Sequence, residues 1–88
     1  MSLNISNERF IKESTPVHIN DNWESVDSCI FERCTVFIDG TKSRVIKGSF
    51  YKCIIFPSDS ETFIDCYFES CFIIGRINAD SNILHNCK

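Results

Sequence analysis

At 88 residues, 43% hydrophobic and 24% charged, the chain has room for one domain with a modest core and is too apolar to be disordered. A net charge of −3 gives no electrostatic reason to bind nucleic acid directly, and it falls short of the dense negative field of a nucleic-acid mimic. The first residues carry no basic-then-apolar leader and no run is long and apolar enough to span a membrane, so a soluble cytoplasmic protein is expected.

Residues 1–25 show no repeat and are assigned as an N-terminal capping segment. Ser6–Glu13 fits a short helix or a strand, ended by Pro16. Val17-His18-Ile19 alternates and suggests a first, imperfect strand. Phe10, Val17, Ile19 and Trp23 would then close the open end of a core; the alternative is a binding arm carrying an exposed Trp23.

From residue 26 a repeat sets in. Each of the six cysteines follows an apolar residue by three positions, as in Phe31-Glu32-Arg33-Cys34, Phe50-Tyr51-Lys52-Cys53 and Phe68-Glu69-Ser70-Cys71. Aligning Cys34, Cys53, Cys71 and Cys87 gives steps of 19, 18 and 16 residues. The same alignment stacks Cys29, Gly48, Cys66 and Asn82, then Phe31, Phe50, Phe68 and Leu84, then Val26, Val45, Phe63 and Ala79. Columns of this kind predict a coil, because rungs about 4.8 Å apart set like residue on like and bury a face that one rung cannot bury alone. Polar stretches at 39–43, 57–61 and 78–82 supply one turn per period. The predicted fold is all-β: a short parallel β-helix of about four coils over residues 26–88, with 16–19 residues per coil.

The tandem beats Cys29 to Val36 and Cys66 to Ile73 resemble pentapeptide-repeat proteins and, more loosely, short right-handed parallel β-helices. The resemblance covers residues 26–88. The five-residue beat holds for only two repeats per coil, so a degenerate β-helix is favoured over a regular pentapeptide tube.

Little in the chain suggests catalysis. No Cys-x-x-Cys occurs and the tandem spacing is Cys-x4-Cys, while disulfides are rare without a secretory leader; inward packing is therefore favoured over metal or disulfide alternatives, and the cysteines are assigned to the core. His18 and His85 are the only candidate bases for a thiol nucleophile, and no oxyanion hole is visible. Glu32, Tyr51 and Glu69 share one outward column, which admits a carbohydrate-binding or carbohydrate-processing β-helix as an alternative. No catalytic residue, cofactor or metal site is assigned. With Cys34 and Val36 inward, the outward ladder is Thr35, Ile54, Phe72 beside Phe37, Phe56, Ile74. A solvated sheet face should be polar there, so these six are the candidate protein-binding residues, the alternative being that residues 1–25 fold over the face and bury it. The function expected is a non-enzymatic protein-binding module, with a homodimer and a protein partner anticipated and neither nucleic acid nor membrane bound directly. Small solenoids of similar size include inhibitors of nucleic-acid machinery, so an anti-CRISPR or anti-restriction inhibitor is one form of this expectation. A structural spacer is another.

Overall fold

The computed structural model describes residues 3–12, 15–20, 23–39, 44–57 and 61–88. Among them are thirteen short strands and no helix. The first coil contains β1 (Leu3–Ser6), β2 (Arg9–Ile11) and β3 (Val17–Ile19). The second contains β4 (Trp23–Asp27), β5 (Ile30–Glu32) and β6 (Thr35–Ile38). β7 (Val45–Ile46), β8 (Ser49–Tyr51) and β9 (Ile54–Phe56) form the third, and β10 (Phe63–Ile64), β11 (Tyr67–Glu69) and β12 (Phe72–Ile73) the fourth. β13 (Ile83–His85) begins a fifth.

Every strand pairs in parallel with its counterpart one coil away. The first sheet runs β1-β4-β7-β10, the second β2-β5-β8-β11-β13 and the third β3-β6-β9-β12. Parallel neighbours need a crossover, and here the other two sides of each coil provide it. The result is a three-sided parallel solenoid of about four turns.

The register follows the columns of the sequence. Val26 pairs with Val45 and Val45 with Phe63. Phe10, Phe31, Phe50, Phe68 and Leu84 stand rung over rung in the second sheet. Rung spacing matches ring-stacking distance, so the Phe10–Phe31, Phe31–Phe50 and Phe50–Phe68 centroids lie 4.8, 4.7 and 4.9 Å apart in near-parallel planes. Phe63 meets Phe50 and Phe68 edge-on from the first sheet. Burying each of the fully enclosed rings, Phe31, Phe50, Phe63 and Phe68, contributes roughly 1.5–3 kcal/mol.

Residues 3–19 correct the expected cap. They are not a segment outside the repeat: Ile5 pairs with Val26, Phe10 with Phe31 and Val17 with Val36. The capping residues Phe10, Val17 and Ile19 do join the core, as members of a coil. Trp23 opens β4 and lies 6.4 Å from Phe10. The cap as assigned also includes residues 1, 2, 13, 14, 21 and 22, which fall outside the described residues, as do most of the predicted turns at 39–43 and 57–61. Ala79 lies in an exposed turn, so its predicted column ends at Phe63.

Candidate interaction face

Two corners of each coil are built alike. Asn7, Ser28, Lys47 and Asp65 turn the chain from the first sheet into the second. Lys12, Arg33, Lys52 and Ser70 turn it from the second into the third, and Asn86 follows them after β13. All nine have φ between 50° and 57°. From the second coil on, the residue after the turn points inward and has little space: a Cβ on Gly48 would meet the Phe50 ring at 3.1 Å and Val45 at 3.3 Å.

The cysteines at these corners do more than fill space. Cys34, Cys53, Cys71 and Cys87 aim their sulfurs at the carbonyls of Phe10, Phe31, Phe50 and Phe68 in the preceding coil, at 3.2, 3.4, 3.4 and 3.4 Å. Each also lies within reach of the carbonyl two residues upstream, as Cys34 does to Glu32 at 3.3 Å. A thiol is a weak donor, and here it adds a second, weak contact to the Glu32, Tyr51 and Glu69 carbonyls, which already accept the Lys12, Arg33 and Lys52 N–H groups. Burial pushes the Cys29 thiol up and the Cys66 thiol up to about 11, while Cys53 is raised first by the neighbouring Cys71 thiol and then by burial. Cys29, Cys53 and Cys66 therefore remain protonated near neutral pH, whereas the hydrogen bond from the Cys53 thiol lowers Cys71 to about 7. All six cysteines are free thiols.

At the first corner Asn82 takes over the work of a cysteine. Its Oδ1 accepts from the Cys66 N–H at 2.9 Å, as the Cys66 sulfur accepts from Gly48 at 3.4 Å. Its Nδ2 donates to the Phe63 carbonyl at 3.0 Å, as Cys66 does to Val45 at 3.2 Å.

The six sequence-selected residues all lie on the outer side of the third sheet. Thr35 pairs with Ile54 and Ile54 with Phe72, while Phe37 pairs with Phe56. Beyond β12, the Ile74 N–H donates to the Ile55 carbonyl at 2.8 Å, which continues the second column. Phe37 and Phe56 stack at 4.5 Å. Ile54, Phe72 and Ile74 are 42%, 54% and 54% exposed, because the described N-terminal residues stack on the second coil and leave this face uncovered.

The column has a head that sequence reasoning missed. His18 pairs with Phe37 and stacks on its ring at 5.1 Å, and His18 Nδ1 lies 2.6 Å from Asp39 Oδ2. The alternation Val17-His18-Ile19 held the signal, since it places His18 outward in the same column.

The second column read from the sequence also forms. Glu32 pairs with Tyr51 and Tyr51 with Glu69 on the outside of the second sheet. Glu69 accepts a 2.8 Å hydrogen bond from the Tyr67 hydroxyl, which pushes the Tyr67 phenol up. Cavities of about 360 and 230 Å³ open beside Ile73, Ile77 and Leu84, and beside Arg44, Phe63 and Asn78; neither is lined by those carboxylates. The described residues contain no cluster of His, Cys, Asp and Glu fit to hold a metal, and no helix long and apolar enough to cross a membrane. No family model matches the chain, and no curated protein or solved structure matches it either.

Proposed function

We propose that this chain is a non-enzymatic protein-binding module that docks through the outer face of its third sheet. The observation that carries this is the run of apolar side chains over three successive rungs, with Ile54, Phe72 and Ile74 about half exposed. A sheet face turned to water normally alternates to polar residues, and a contiguous apolar patch marks an interaction site. The rigid stacking of Phe37 on Phe56 also lowers the entropy lost when a partner orders this surface. The occupant can be a different protein or a second copy of this chain.

A photo-crosslinking amino acid placed at Phe72 or Ile74 tests this in cells, with Ser49 on the second sheet as the control position. Protein adducts should form from positions 72 and 74, and an added Ile54→Asp should remove them. Equal adducts from position 49, or none from 72 and 74, would reject this face as the binding surface. A self-adduct would identify the second copy as the occupant.

A further inference from the structure

The two borders of the third-sheet face differ. At the border with the second sheet stand Lys12, Arg33 and Lys52, one on each of three consecutive coils, all exposed. Their backbone N–H groups donate to Glu32, Tyr51 and Glu69 carbonyls at 2.9 Å each, which fixes them as a stacked ridge at rung spacing. Among the described residues none of the three forms a side-chain ion pair or hydrogen bond. The opposite border carries Asp39, already held by His18.

Nothing in the fold requires cations along that ridge. The left-handed conformation costs a residue with a Cβ about 1 kcal/mol, and Gly or Asn adopts it most readily. The equivalent corner between the first and second sheets uses Asn7, Ser28 and Asp65 with a single Lys47. Like charges on neighbouring rungs also repel. Local rules broken with no structural compensation point to function.

We infer that the ridge and the apolar face form one docking surface for an acidic protein partner. Apolar side chains of that partner meet Phe37, Ile54, Phe72 and Ile74, and its carboxylates meet Lys12, Arg33 and Lys52. This rests on the protein-docking function proposed above. A single-stranded nucleic acid fits less well, because Phe37 and Phe56 spend their ring faces on each other and leave Phe72 as the one exposed ring of this face, where successive bases need a row of them. A second copy fits less well too, since the described carboxylate on its matching face, Asp39, is already engaged by His18.

The test uses the whole chain and three fluorescent probes: a short peptide alternating leucine and glutamate, the same peptide with lysine for glutamate, and a short oligothymidylate. Anisotropy is read at low and high salt for the wild type, for Arg33→Glu with Lys52→Glu, and for Phe72→Ser, each variant first shown by circular dichroism to melt as the wild type does. The acidic peptide should bind best. Charge reversal should weaken it roughly tenfold at low salt and less as salt rises, and Phe72→Ser should weaken it at both salts. Binding that Phe72→Ser weakens but charge reversal leaves unchanged would overturn the acidic partner and keep the docking face. Indifference to Phe72→Ser, or no peptide binding, would remove both. Oligothymidylate bound more tightly than the acidic peptide, and lost on charge reversal, would make the ridge a nucleic-acid contact and overturn the inference.

Discussion

The two corners of the coil share an interior and differ outside. Inside, both need a small residue that can hydrogen-bond to the neighbouring coil. The corner into the third sheet meets that need with an unbroken column, Cys34 to Cys87. The corner into the second sheet meets it with Cys29, Gly48, Cys66 and then Asn82. Outside, the corner into the third sheet is edged by Lys12, Arg33 and Lys52, with Ser70 and Asn86 after them, and the corner into the second sheet by Asn7, Ser28, Lys47 and Asp65. Shape and backbone satisfaction dictate the inner residue, whereas the outer one is left to other demands. A difference between corners outside is therefore informative in a way that a difference inside is not.

The comparison breaks most severely at Asn82. Replacing it with alanine orphans the Cys66 N–H and removes a donor from the Phe63 carbonyl, both buried, and should cost about 2–4 kcal/mol in urea unfolding. Alkaline titration probes the thiol interior next. Cys66 has its pKa raised from 9.0 to about 11, so the folded state keeps a proton that the unfolded chain releases. The stability it contributes is complete below pH 9 and falls as pH rises from there through about 11, by up to about 1.4 kcal/mol per pH unit. Cys66→Ser should flatten that slope in thermal melts, and an unchanged slope would remove the thiol from the account. The smallest effect sharpens the exterior. Lys52→Gly relieves a left-handed residue and a like-charge neighbour, and should raise stability by about 0.5 kcal/mol in the same assay. A loss instead would show that the lysine serves the fold.

Much of the fold was legible because the coil repeats its chemistry. Phe31, Phe50 and Phe68 announce a column, and period-two alternation from Cys34 sets Phe37 outward. The first coil was illegible for a physical reason. Exposed Glu8 stands where Cys29 stands one coil later, so the small inward residue that marks the other corners is absent from this one; its carbonyl accepts from Ile30 as that of Cys29 accepts from Ser49. Without the cysteine beat, Ile5 and Phe10 carried too little signal. Asn82 was placed in the right column, but its role as a stand-in for a thiol depends on hydrogen bonds that spacing does not reveal. Of the proposed docking surface, the apolar ladder could be read from alternation. The basic ridge could not, because Lys12, Arg33 and Lys52 become neighbours only once the corners are aligned.

The backward reach of each corner thiol makes the solenoid modular. Since a coil asks of its predecessor three parallel strand edges, a phenylalanine carbonyl and a ring to stack on, and offers the same to its successor, residues 45–62 could be duplicated in tandem. The molecule would grow by one storey, and its outer apolar strip by one more isoleucine and phenylalanine, with no new kind of contact needed to join the parts.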